Sequence, residues 1–300
     1  MKVLIAGGSG LVGTALTSSL HGDGHTVSRM VRPGSKGAPG DVTWNPLNAL
    51  VDVPAMEGFD AVVNLSGASI AGGRWTSRRK QVLRSSRVDS TRVLVDALAH
   101  LKQPPRVFVC ASAIGFYGDR GDEVLTESSG HGNDFLAILC RAWEGEAARA
   151  AASGIRTVMM RFGIVLSTDG GALPRMLTPF RFGAGGRLGS GKQWMSWIAL
   201  EDVVRVLRAA IDDARWNGAV NLVAPEPVRN AEFTRVLASV LHRPAIFPAP
   251  ALALRLALGE MAHALLLSSQ RVLPECLARY GFTFRYENLE AALHAIVAKA

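Results

Sequence analysis

Three glycines, Gly7, Gly10 and Gly13, have the spacing that lets a backbone close around a phosphate. They follow the apolar run Lys2-Val3-Leu4-Ile5-Ala6 and open the helical run Thr14 to Leu20. In that strand, turn and helix context Gly7 permits the tight turn, Gly10 lets the backbone approach a pyrophosphate, and Gly13 lets helix and strand pack closely. The N–H groups at the helix start, around Ser9, Leu11 and Val12, have no intrahelical acceptor and suit an anion. The next strand, His25 to Val31, ends about 20 residues beyond the glycines, where an NAD site places a carboxylate on the ribose 2′-hydroxyl. Val31 and Arg32 stand there instead. A guanidinium pairs with a 2′-phosphate through charge-assisted hydrogen bonds, and Ser35 and Lys36 follow closely. The residues therefore favour NADP(H) over NAD(H).

The formal net charge of +8 is concentrated. Arg74, Arg78, Arg79, Lys80, Arg84, Arg87 and Arg92 face the single acid Asp89, a net of +6, which leaves +2 for the rest of the chain. No helix-turn-helix pattern, aromatic stacking series or basic tail accompanies the run, so nucleic acid is not an expected partner. The run reads either as a solvated helix face or as an electropositive mouth that attracts an anionic cofactor or substrate. Cys110, Cys140 and Cys276 are too few and too scattered for a disulfide framework or a zinc site, and Met1 leads directly into the first strand. A reduced, cytoplasmic protein with no metal is expected. The longest apolar stretch, Phe247 to Leu267, carries Arg255, Glu260 and His263, charges that a membrane span rarely tolerates.

The elements that must position these residues alternate. Phe59 to Leu65, Arg106 to Ala111 and Arg156 to Phe162 read as buried strands, and Thr76 to Leu101 and Phe135 to Ala152 as helices. Strands separated by long helices imply an α/β fold, a doubly wound parallel (Rossmann) sheet with right-handed crossovers. Ligands in such sheets sit at the carboxyl ends of the strands. The polar stretches Asn64-Leu65-Ser66-Gly67, Ser112 to Tyr117 and Arg161-Phe162-Gly163 fall there. After Pro225 the chain turns to short helices punctuated by Pro227, Pro244, Pro248, Pro250 and Pro274. The expected organisation is an NADP-binding domain over 1–224, with 167–194 reaching into the substrate lobe, and a smaller, mostly helical C-terminal lobe over 225–300.

The order of glycine triplet, Arg32 and Asn64-Leu65-Ser66-Gly67 resembles the extended short-chain dehydrogenase/reductase superfamily. Arg74-Trp75-Thr76, Ser86-Arg87, Ser112-Ala113-Ile114-Gly115-Phe116-Tyr117-Gly118, Asp134-Phe135-Leu136, Trp143-Glu144, Gly189-Ser190-Gly191-Lys192-Gln193, Ser196-Trp197-Ile198 and Ala224-Pro225-Glu226-Pro227 are similar to its atypical "epimerase family" branch. Arg243-Pro244 and Gly281-Phe282-Thr283-Phe284 resemble that branch's C-terminal domain of unknown function. The resemblance implies cofactor contacts at Leu65, Ser66, Gly67, Arg87, Ala111, Gly163 and Val165, and substrate contacts at Arg74, Trp75, Gln193 and Trp197; Arg87 could instead order the Arg74-Trp75 loop, and packing is the commoner role for the two tryptophans. It also implies a small-molecule substrate, and relatives commonly pair as dimers through the two long helices after the fourth and fifth strands.

Working members of the superfamily use a Tyr and a Lys four residues later on the helix that ends near Glu144. Those positions are Leu136 and Cys140 here, and the helix asparagine of the relay falls on Arg87. Ser112 takes the place of the active-site Ser/Thr, five residues before Tyr117 where four is usual. Tyr117 is then the candidate proton donor, its phenol expected to be acidified by Arg87; the alternative is that it only packs in its turn. Where relatives read Trp-Ile-His-Ile-Asp-Asp, this chain has Trp197-Ile198-Ala199-Leu200-Glu201-Asp202, with Asp202 expected to start a helix. Two functions remain: an NADP(H)-dependent oxidoreductase or epimerase, or a noncatalytic NADP(H)-dependent regulator that binds a protein partner.

Overall fold

The computed structural model describes residues 1–298. Its first half-sheet is built from β1 (Lys2–Ala6), α1 (Leu11–Gly22), β2 (Thr26–Val31), the hairpin β3 (Val42–Asn45) and β4 (Leu50–Val51), and β5 (Ala61–Asn64). Then come α2 (Ser77–Arg84), α3 (Ser90–Ala99), β6 (Val107–Ala113), the short β7 (Val124–Leu125), α4 (Phe135–Ala148) and β8 (Arg156–Phe162). The remainder is β9 (Ile164–Leu166), α5 (Leu173–Arg181), β10 (Trp194–Met195), β11 (Trp197–Ala199), α6 (Leu200–Asp212), β12 (Gly218–Leu222) and β13 (Val228–Arg229). It closes with α7 (Asn230–Leu241), α8 (Ala251–Leu258), α9 (Glu260–Ala262), β14 (Arg271–Val272), α10 (Glu275–Arg279) and α11 (Leu289–Val297).

Eight strands form the main sheet in the order β12-β8-β6-β5-β1-β2-β3-β4, parallel except for the β3–β4 hairpin. Central strands such as β5 are buried along their whole length, which is why they read as unbroken apolar runs. Leu16 and Leu20 of α1 and Val203, Val206 and Leu207 of α6 cover one face, with Val3, Ile5, Val63 and Val109 beneath them. Leu94 and Leu98 of α3 and Leu139 and Trp143 of α4 cover the other, over Leu4, Val62 and Phe108. Because β2 and β5 flank β1 on opposite sides, the strand order reverses beside β1 and leaves a crevice at the carboxyl ends.

The single helix expected over Thr76 to Leu101 is divided. Thr76 caps α2 by accepting from the Arg79 N–H at 3.2 Å, and a π-helical turn, Ser85–Asp89, separates α2 from α3. Ser86 and Ser90 turn their hydroxyls back onto the carbonyls of Leu83 and Ser86, a competition with the helix ladder that favours such irregularity. Arg87 sits at the centre of that turn. The expected helix start at Asp202 is also corrected. Ala199 is the N-cap of α6, and Asp202 lies in its first turn, fully buried, where its carboxylate accepts from the Arg285 and Tyr286 N–H groups at 2.8 and 3.1 Å and pairs with Arg205.

A third core joins α5, β10, β11, α7 and α11 around Trp197, Leu237 and Leu293. It draws on residues either side of 224, so 166–197 and much of 225–297 fold together. The lobe expected over 225–300 is not self-contained, because β14 pairs with β7 and Cys276 and Leu277 of α10 pack under the main sheet. Phe247 to Leu267 breaks into α8, α9 and a π-helical turn. Among the described residues no helix is long and apolar enough to cross a membrane.

Candidate functional site

At the glycine turn the sequence spacing becomes geometry. Gly7 has a φ of +81°, and a Cβ there would lie 2.7 Å from the Leu65 carbonyl. A Cβ on Gly13 would lie 2.4 Å from the Gly7 oxygen, so α1 can pack against the turn only without a side chain at 13. Gly10 is different: its Cβ would meet only the Gly7 oxygen, at 3.4 Å, so the space above it is open. Gly10 is the N-cap of α1, with no side-chain cap and no acidic residue in the first turn. The N–H groups at Leu11 and Val12 are thus uncovered by protein. Ser9 and Arg32 are exposed, Arg32 at the carboxyl end of β2. Beside the turn, the Ser66 Oγ is buried without a hydrogen-bond partner, while its N–H donates to Asn64 Oδ1 at 3.1 Å. An uncapped helix start and an orphaned hydroxyl fit a dinucleotide.

One contributor was missed from sequence. The stem of Arg29 covers Gly8, 3.1 Å from where a Cβ would stand, and its guanidinium pairs with Asp41 at 2.8 Å. The Asp41 carboxyl is held below its usual value: burial alone would raise it, but the Arg29 hydrogen bond and the backbone N–H groups of Ala38 and Arg29 outweigh that. Arg29 lies inside a strand and Asp41 twelve residues on, beyond a glycine-rich loop, so no local spacing links them.

The other end of the crevice carries a closed polar chain. Ser112 Oγ donates to Glu144 Oε1 at 2.6 Å. Arg161 grips the same carboxylate with two bonds, Nε to Oε1 and Nη2 to Oε2, both 2.8 Å. Its Nη1 donates to Tyr117 Oη at 2.8 Å, and that phenol donates to Asn221 Oδ1 at 2.7 Å. Asn221 Nδ2 ends the chain on the Leu273 carbonyl at 2.9 Å. Phe116 lies against Arg161, with the guanidinium carbon 3.6 Å from its ring centre. Burial by itself would pull the Arg161 guanidinium down, but Glu144 more than offsets it and holds it above its usual value.

Tyr117 is corrected on two counts. Its cationic neighbour is Arg161, not Arg87, and its phenol is pushed up to about 12 because burial outweighs the pull of Arg161. The side chain is fully buried. A phenol so placed is neither acidified nor open to a substrate. Ser112 has its proton committed to Glu144, and Cys140, at the position of the relay lysine, has its thiol pushed up to about 12 by burial and then by Glu144. Leu136 packs on Gly115. Glu144 and Arg161 stand within motifs of the sequence; the signal that could have found them is a charged residue next to a buried apolar one, Glu144 after Trp143 in α4 and Arg161 after Met160 in β8.

The expected substrate residues fare unequally. Trp197 is fully buried and donates from Nε1 to the Glu226 carbonyl at 3.0 Å, so it is a core residue and not a substrate platform. Gln193 spends its amide donors on the carbonyls of Leu188 and Leu266, at 3.1 and 3.0 Å, and ties two lobe segments together. Trp75 is buried edge-on against Phe135, ring centres 5.3 Å apart, and fixes its own loop through Nε1 to the Ile70 carbonyl at 2.9 Å. Arg74 is exposed beside Gly259.

Of the remaining cofactor candidates, Gly163 is dictated by packing, since a Cβ would lie 2.7 Å from both the Ser196 carbonyl and Val223. Val165 pairs with Ile198, and Ala111 is buried among core residues. Leu65 backs Gly7, and Gly67 faces Arg87, whose guanidinium carbon is 3.1 Å from a Cβ position there. Arg87 donates to the Ala68 carbonyl at 3.0 Å and lies 5.4 Å from the ring centre of Trp143.

A family model for the NAD-dependent epimerase/dehydratase family matches residues 3–222, and one for a domain of unknown function (DUF1731) matches 249–296. An epimerase family protein of Mycobacterium bovis is 45% identical over 291 residues, covering 97% of this chain and 96% of the relative. One of Bacillus subtilis is 38% identical over 301 residues, with 99% and 98% covered. The crystal structure of the human epimerase family protein SDR39U1 with NADPH superposes with a TM-score of 0.92 at 34% identity, over 100% of both chains.

Proposed function

The chain belongs to the NAD-dependent epimerase/dehydratase family, and from that premise we propose that it binds NADP(H) and exchanges a hydride with a small-molecule substrate. The observation that carries this reading is the start of α1, where a glycine turn opens onto an uncapped helix beside the orphaned Ser66 hydroxyl. The human relative crystallised with NADPH supports it. Gly7, Ser9 and Gly10, with the N–H groups of Leu11 and Val12, would hold the pyrophosphate, and Arg32 the 2′-phosphate. The bound dinucleotide would supply or accept the hydride.

Tyr117 takes no part in moving the accompanying proton, being buried and bonded on both sides. Ser112 could accept a further hydrogen bond but not donate one, since its hydroxyl hydrogen is already directed at Glu144 Oε1. Phe135, Leu136 and Trp75 make the neighbouring wall apolar. Binding is tested by titration: NADPH should bind more tightly than NADH, and Arg32→Ala should narrow the gap by roughly 10- to 100-fold, the scale of lost charged hydrogen bonds. Equal affinity for both cofactors in the parent protein overturns the NADP(H) assignment.

The second reading, a noncatalytic NADP(H)-dependent regulator, is favoured by the fully partnered chain from Ser112 to Asn221. Deuteride transfer from labelled NADPH to any metabolite in a broad pool supports the enzyme. Tight binding with no transfer supports the regulator.

A further inference from the structure

The C-terminal lobe presents large apolar side chains to water. Phe182, Ile246, Phe247, Leu252 and Leu256 are between 60 and 84% exposed. They come from two stretches that the backbone ties together. The Phe247 N–H donates to the Gly185 carbonyl at 3.3 Å, the Ala249 N–H to that of Arg187 at 2.9 Å, and the Gly189 N–H to that of Ala249 at 2.8 Å. The approach needs glycine at 186, where a Cβ would lie 2.0 Å from the Phe247 oxygen. Pro244, Pro248 and Pro250 keep the second stretch out of a helix until α8 begins. No residue of α8 is buried. Leu254 and Leu258 are half-buried, Leu258 against the core beneath α3 and α4, and Leu252 and Leu256 stand on the opposite side of the helix, in the open.

Cations are interleaved with these side chains. Arg181 precedes Phe182, Arg255 precedes Leu256, Arg243 lies shortly before Ile246, and Arg187 lines an open groove with Ile246 and Pro248. All four arginines are exposed, and none forms an ion pair among the described residues. The sequence has no Asp or Glu between Asp169 and Glu201, nor between Glu232 and Glu260, so both stretches are free of carboxylates of their own. The face is thus apolar and cationic at once.

A contiguous exposed apolar face of this kind marks a docking surface. We propose that it seats the protein on an anionic lipid surface, with Phe182, Phe247, Leu252 and Leu256 entering the boundary between headgroups and acyl chains and the four arginines resting on lipid phosphates. The chain lies on the bilayer without spanning it, since no described helix is long and apolar enough to cross. A second copy fits less well, because the same face would set guanidinium against guanidinium. A protein partner would have to place a carboxylate opposite each of four dispersed arginines, whereas a fluid layer of headgroups meets them wherever they stand. Arginine is also the cation whose planar fork matches a phosphate. The proposal goes beyond the cofactor reading and does not depend on it, since that reading rests on the start of α1.

The test is co-sedimentation of the whole protein with vesicles of phosphatidylcholine alone and of phosphatidylcholine mixed with phosphatidylserine, at low and at high salt. Binding should require phosphatidylserine and weaken as salt rises. Leu252→Ser with Leu256→Ser should weaken it about tenfold or more, and Arg181→Gln with Arg187→Gln by a similar factor. All four positions are exposed, so circular dichroism should stay that of the parent. Phe182→Ser, at the most exposed of the five apolar side chains, should also weaken binding and guards against a leucine pair that fails to fold. Unchanged binding by folded apolar variants would mean attraction by charge alone and overturns the docking of this face. Equal binding to neutral vesicles, or no loss in the arginine pair, overturns the anionic assignment. Absence of binding to either vesicle overturns the proposal outright. A dimer in sedimentation velocity that Leu252→Ser abolishes would then assign the face to a second copy, and binding of a synthetic peptide rich in Glu and Leu would assign it to an acidic protein.

Discussion

At the start of α1 the backbone donors have no cap and the Ser66 hydroxyl has no partner, while at the carboxyl ends of β6 and β8 the side chains of Ser112, Glu144, Arg161, Tyr117 and Asn221 are each bonded to the next. Both regions lie on one sheet and both were marked by polar residues where ligands usually bind. They differ in spare hydrogen-bonding capacity. A group left with an unused donor in a buried place is held in readiness for something outside the chain, whereas a group whose bonds are all made contributes to stability.

The sharpest way to break that contrast is Gly10→Val. It places a side chain in the open space over the uncapped donors, and NADPH affinity should fall by about 100-fold or more while circular dichroism stays that of the parent, since the turn itself is dictated by Gly7 and Gly13. Normal NADPH binding by a folded variant would mean that the turn is structural only. At the other end, Arg161→Met removes one partner of a buried ion pair and leaves Glu144 uncompensated. It should destabilise the protein by about 3–5 kcal/mol in denaturant unfolding. A loss below about 1 kcal/mol would show that the chain is not the stabilising unit described.

Tyr117→Phe should have a smaller effect. Losing its bonds to Arg161 and Asn221 should cost about 1–3 kcal/mol of stability and leave NADPH affinity as it was. The reverse result, unchanged stability with abolished turnover, would restore Tyr117 as a proton donor. The pH dependence sharpens the point. Tyr117 is raised from 10.0 to about 12 in the fold, and the Cys110 and Cys140 thiols from 9.0 to about 12. Their stabilisation is complete below the unfolded values and lost as pH rises through the folded ones, so stability should decline from about pH 9 toward 12. In Tyr117→Phe the decline between 10 and 12 should be shallower, as should the phenolate absorbance that appears near 12.

What was legible followed local spacing. The strand, glycine turn and helix at 2–22, and the strand at 156–162, are set by residues within a few positions of each other, and the structure places them there. The bend at Ser85–Asp89 was not legible, because a serine within a helix can point to solvent or bond back to a carbonyl, and the sequence around Ser86 and Ser90 does not decide between the two. The environment of Tyr117 was missed for a different reason. Its partners Arg161 and Asn221 lie 44 and 104 residues away, and adjacency in sequence suggested a reactive pair with Ser112. For Trp75 and Trp197 packing was the commoner reading beside a substrate role, and the third core closes around Trp197.

The polar chain ends beyond the lobe that follows it. Asn221 reaches the Leu273 carbonyl, Ser196 Oγ donates to the Gln270 carbonyl at 2.8 Å and accepts from the Val272 N–H at 2.9 Å, and Asp202 waits for the N–H groups of Arg285 and Tyr286. During synthesis these groups therefore lack these partners until residues 270–286 have been made, and pairings of such long sequence separation form slowly. The half of the sheet around β1 and α1 has strands and helices of its own to order it, whereas its closure depends on the arrival of residues 270–286.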